Sequence, residues 1–166
     1  MQDKRTLIKR IIDEHQTIKQ HIKLVGDSIS DQEALNALQK AHSDFIPGRP
    51  EIISEKQKSL QQTMAFLEDG MKKHFDFEEK VLPPLLGELL GQALALEHRD
   101  IKRQIEADKA TVANIRLEGL SREELLEKET YIEEVIDALL QLIEGHAARE
   151  ETVLGMIQSA LEDQQV

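Results

Sequence analysis

Residues 132–157 read IEEVIDALLQLIEGHAAREETVLGMI, with apolar side chains at Ile132, Val135, Ile136, Leu139, Leu142, Ile143, Val153, Leu154 and Ile157. Steps of three and four put these on one stripe of a helix. His146 and Glu150 fall on the same stripe, where an apolar residue is expected. Ser121 and Glu124 have the spacing of a capping box, so the helix opens near residue 121.

The same period extends over the rest of the chain. Ile8, Ile11, Ile12, His15, Ile18, Ile22 and Val25 predict a first helix that fades at Gly26. Ser30-Asp31-Gln32-Glu33 is a second capping box, opening a shorter helix through about Phe45 that Pro47-Gly48-Arg49-Pro50 ends. From Glu51, the positions Ile52, Leu60, Met64, Leu67, Met71, His74, Phe75, Glu78 and Leu82 predict a long helix. Pro83-Pro84 should stop or kink it and bias Leu82 out of helical geometry. Leu89, Leu94, His98, Ile101, Ile105 and Val112 mark another helix, running out at Gly119.

No β-branched run bounded by turns appears, so the fold is expected to be all-α. Long helices on short connections bury one stripe each most simply as an up-down-up-down four-helix bundle. The short helix and loop of residues 30–50 are expected as an addition between the first two bundle helices. Residues 1–166 then form one domain.

Composition narrows the function. The 166 residues are 40% hydrophobic and 32% charged, enough for one core. The formal net charge of −11 repels phosphate backbones and anionic lipid, so neither nucleic acid nor a membrane is an expected partner. No stretch has the apolar continuity of a signal peptide or membrane span, which makes the cytoplasm the expected location. With no cysteine, any metal must be held by His and carboxylates.

Two pairs of segments repeat. Residues 14–22 (EHQTIKQHI) and 97–105 (EHRDIKRQI) share Glu, His, Ile, Lys and the final Ile. Residues 74–82 (HFDFEEKVL) and 146–154 (HAAREETVL) share His, both Glu, Val and Leu. The chain thus reads as a duplicated helix hairpin whose His residues face a shared centre. His and Glu four residues apart are separated by roughly 6 Å of rise on nearly the same helix face, so both can reach one site. Buried carboxylates at Glu78 and Glu150 need protonation or a cation, and four imidazoles beside them favour the cation. This donor set suits Fe, Mn, Zn or Co better than Ca or Mg. Two metals bridged by Glu78 and Glu150, each taking two His, would use every ligand and leave positions for an exogenous molecule.

These motifs resemble the hemerythrin-like (HHE cation-binding) family: a His on the first helix, His-x3-Glu on the second, His on the third and a His-containing motif on the fourth. The resemblance covers most of the chain. It implies that His15, His74, Glu78, His98, His146 and Glu150 bind a non-haem di-iron centre, oxo- or hydroxo-bridged, with Zn or Mn as possible substitutes. Lys102 stands where the third helix of oxygen-carrying hemerythrins has a second His, and Glu150 at i+4 where they have Asp at i+5. The two His-x3-Glu motifs look closer to those of iron–sulfur-repair proteins.

Other polar residues have plainer readings. His21 and His42 are expected to face solvent, Glu79 and Glu151 to lie on a solvated face, with support of a ligand or service as a spare ligand as the alternative, and Lys19 and Lys102 to extend outward, with donation to a metal-bound anion or peroxide as theirs. Phe75 and Phe77 are expected as ordinary packing.

The expected function is binding or sensing of O2, NO or peroxide at the metal pair, or iron handling. One alternative is a di-iron enzyme reducing peroxide or nitric oxide. Another is a helical interaction bundle whose metal is structural or absent. A binding role is favoured over catalysis, and no protein or redox partner is identified.

Overall fold

A computed structural model describes residues 4–15, 29–45 and 53–164 of the chain. Its elements are α1 (Lys4–His15), α2 (Asp31–Asp44), α3 (Ile53–Val81), α4 (Pro83–Leu86), α5 (Glu88–Asn114) and α6 (Arg122–Asp163), with no strand among the described residues. The expected positions Ile18, Ile22, Val25, Gly26, Pro47, Pro50 and Ile52 lie outside them.

Helix starts follow the capping chemistry. At α6 the Ser121 side chain accepts the Glu124 amide while the Glu124 carboxylate accepts the Ser121 amide. At α2 Ser30 accepts from the Glu33 amide. α5 ends at Asn114, before Gly119, because Ile115 turns extended and Gln57 of α3 donates to the freed Val112 and Ile115 carbonyls.

α3 stops at Val81, just before the two prolines, as expected, but the expected departure of Leu82 from helical geometry does not occur. Leu82 keeps helical angles (φ −73°, ψ −43°). Its amide still bonds the Glu78 carbonyl at 2.8 Å and its side chain is buried, which offsets the steric bias of a following proline. Pro83 opens α4, at a position where a missing N–H costs nothing. The chain breaks direction at Gly87, whose φ of +86° suits glycine.

α6 is 42 residues, roughly 60 Å long. Both short N-terminal helices lie along it. The Arg5 guanidinium of α1 bonds the Leu161 carbonyl, and His42 of α2 lies 3.4 Å from Glu133. α2 contributes to the main core: Ala34, Leu38, Ala41 and Phe45 pack in one core with Leu60, Met64 and Met71 of α3, Ile101 and Ile105 of α5, and Ile136 and Ile143 of α6. The Ile29 amide donates to the Gly70 carbonyl at 3.3 Å, an approach that leaves no room for a Cβ on residue 70.

A second, smaller cluster joins Ile8 and Ile11 of α1 to Leu82, Leu94 and Leu154. Along α3, α5 and α6, the gap between the clusters is filled by His74, Glu78, His98, His146 and Glu150. A fully buried polar layer thus divides two apolar regions. Among the described residues, no helix is long and apolar enough to cross a membrane.

Candidate metal centre

Each helix delivers its polar side chains by the same device, a His or Glu substituted into an apolar stripe. On α3, His74 and Glu78 stand one turn apart between Met71 and Leu82. On α6, His146 and Glu150 repeat that spacing between Ile143 and Leu154, and His98 lies between Leu94 and Ile101 on α5. All five are 0% exposed. His15 ends α1, and its side chain lies outside the described residues.

The layer's contacts run from one imidazole to the next through carboxylates. His74 Nε2 is 2.9 Å from Glu78 Oε1, and His98 Nε2 is 3.2 Å from Glu78 Oε2. His98 Nε2 is also 3.5 Å from Glu150 Oε2, which His146 Nε2 approaches to 2.8 Å. One ligand atom each from Glu78, His98, His146 and Glu150 falls within 4.8 Å of all the others.

Three further carboxylates stand behind or beside these imidazoles. Asp31, the first residue of α2 and 1% exposed, sets Oδ1 3.3 Å from His74 Nε2. Glu79 accepts from His98 Nδ1 at 3.2 Å, so it meets the layer from behind rather than lying on a purely solvated face. Glu97 accepts from His146 Nδ1 at 2.6 Å, and Arg149 Nε donates to its other oxygen at 2.6 Å. The sequence carried one signal for Glu97, its match to Glu14 in the repeated Glu-His pair. It carried none for Asp31, which has the form of an ordinary first-turn acid. Phe75 packs as expected and also walls the layer, stacked on His98 with ring centres 4.1 Å apart and edge-on to His146 at 5.7 Å. His42 is half-buried against Glu133, not wholly solvent-facing.

The electrostatics follow from crowding carboxylates around imidazoles. Burial alone would lower the His74 pKa, but Glu78 and Asp31 outweigh it and push it up to about 10. His98, opposed in the same way by Glu150 and Glu78, rises to about 9. His146 rises too, its burial outweighed by Glu150 and Glu97. Burial raises Glu97, yet Arg149 and His146 bring it below the usual carboxylate range.

The donors fit a transition metal. Nitrogen and oxygen ligands about 2.1 Å from one ion lie roughly 3.0–3.4 Å from each other. The inter-residue contacts here span 2.8–3.5 Å. Glu79 and Glu97 each hold an Nδ1 proton on the far side of a ring, which turns that ring's Nε2 into the layer as in metal-bound histidines. Carboxylate charges that would be costly in an apolar interior gain a compensating cation.

No curated protein and no solved structure matches the chain. The family model described as hemerythrin HHE cation binding domain matches residues 6–157, spanning all five layer residues and His15. The chain belongs to the hemerythrin HHE cation-binding family.

Proposed function

We propose that this protein holds a non-haem di-iron centre in its buried polar layer and binds or senses a small ligand there, O2, NO or peroxide, or takes part in iron handling. The observation that carries the reading is the convergence of three imidazoles and two carboxylates, all fully buried, between two apolar clusters. His74, Glu78, His98, His146 and Glu150 are the ligands in this reading, with His15 from α1 as the sixth. Bound iron supplies Lewis acidity and one-electron chemistry that side chains alone lack.

The protein's own residues set the conditions. Glu79 and Glu97 orient His98 and His146, and Phe75 covers the ring face of His98. A cavity of about 440 Å³ between α5 and α6, lined mainly by Leu90, Ala93, Leu94, Ala148 and Val153, has Glu97 and Arg149 on its wall. Its apolar lining suits a diatomic ligand more than an ionic one.

The helices run up-down-up-down in this reading, with α1 and α2 sharing the first position. The antiparallel pairing of α3 and α5, marked by Gln57 with Val112, Glu68 with Lys109 and Glu79 with His98, supports it.

Elemental analysis of protein purified without chelator, with absorption spectra before and after air exposure, tests the function. Two irons per chain and near-ultraviolet charge-transfer bands in air are expected. Metal-free protein that takes up no iron on reconstitution would refute it.

A further inference from the structure

We propose that Asp31 is a metal ligand, holding one ion of the pair together with His74 and Glu78. The inference rests on the di-metal reading above and adds a ligand from α2, which none of the recurring His and Glu motifs supplies.

Asp31 is placed unusually for a first-turn acid. Such residues normally sit at the surface, where they interact with the positive helix end. The N-cap role at this helix start is filled by Ser30, whose side chain accepts the Glu33 amide. Asp31 is instead 1% exposed and turned toward α3, with Oδ1 3.3 Å from His74 Nε2.

His74 Nε2 also faces Glu78 Oε1 at 2.9 Å. Two carboxylates therefore converge on one ring nitrogen, which carries at most a single proton. The 3.3 Å separation falls within that of two ligands on one ion (roughly 3.0–3.4 Å), and the 2.9 Å one lies just below it.

The second ion has its own ligands. Glu78 turns its other oxygen, Oε2, toward His98, within the close group formed with His146 and Glu150. Glu78 therefore spans two subsites, one with His98, His146 and Glu150, the other with His74 and Asp31. The close approach of Ile29 to Gly70 fixes the start of α2 against α3 and so sets the position of Asp31.

Cobalt(II) titration of the metal-free full chain, followed by visible absorption and by bound cobalt after desalting, tests this. Wild type should bind two ions. Asp31→Asn should keep one at unchanged affinity and bind the other at least about tenfold more weakly. His74→Gln should lose the same ion, and the double variant should still keep the one held by His98, His146 and Glu150. Asp44→Asn, on the same helix and away from the layer, should bind as wild type does. Far-UV circular dichroism establishes that each variant is folded. Two ions held by Asp31→Asn as tightly as by wild type would overturn the role of Asp31 alone, as would a wild type that binds a single ion. Wild-type protein that binds no cobalt would overturn the metal reading itself.

Discussion

Glu97 holds His146 from behind: its Oε2 lies 2.6 Å from His146 Nδ1, while its Oε1 takes the Arg149 guanidinium at the same distance. One carboxylate on α5 thus fixes the ring of a proposed ligand on α6 and ties it to a surface cation. Glu97→Ala should weaken metal binding by about 10–100-fold, the usual cost of losing such a partner. Glu97→Gln, which still accepts from Nδ1, should lose less. Metal titration of the two variants checks the order, and equal affinities in both would show that the hydrogen bond does not position His146.

The two buried glutamates of the layer should be its least replaceable groups. Glu78→Gln keeps the shape of the side chain but removes the charge shared between His74 and His98. Bound metal should fall by at least one ion per chain, and Glu150→Gln should behave alike because it joins His98 to His146. Full stoichiometry in both variants would contradict their role as ligands.

Protons and metal compete for the same nitrogens. In metal-free protein the folded His74 and His98 values of about 10 and about 9 stand above the unfolded reference of about 6.5. Folded-state protonation therefore contributes stability that is fully present below about pH 6.5 and is lost as pH rises through 9 to 10. Urea midpoints of metal-free protein should decline across that range. Metal binding at pH 7 should release protons, detectable with an indicator dye in weak buffer, and should weaken on acidification. A midpoint flat from pH 7 to 10 with no proton release would contradict these shifts.

Gly70→Ala tests the seating of α2. The added Cβ would lie 2.7 Å from Ile29 Cγ1, at the branch of a buried side chain that cannot swing away. Overpacking costs about 1–3 kcal/mol, against roughly 1 kcal/mol gained in helix propensity. The net expectation is a loss of about 1 kcal/mol, or roughly 2–4 °C in melting temperature. An unchanged or higher melting temperature would show that Ile29 yields easily.

Much of this was legible because the informative residues break a pattern. His74, Glu78, His98, His146 and Glu150 stood out as polar residues in apolar stripes, and their burial follows from stripe position. Ser121 and Glu124 announced the start of α6 through local hydrogen bonding alone. What was not legible depends on tertiary packing. Asp31 looks like any helix-opening acid until α2 is set against α3, and the core position of α2 cannot be read from its own period. Glu79 and Glu97 lie off the apolar stripes, partly exposed, so the sequence left their role open and the neighbouring helix reveals which ring each holds. Leu82 stayed helical because its amide bond and burial outweighed a local bias.

Anomalous diffraction at the iron edge, from crystals of iron-loaded protein, tests most directly whether the buried layer is a metal centre. Two peaks are predicted, one among Glu78, His98, His146 and Glu150, the other beside His74 and Asp31. Iron peaks confined to surface carboxylates, with none inside the layer, would contradict it.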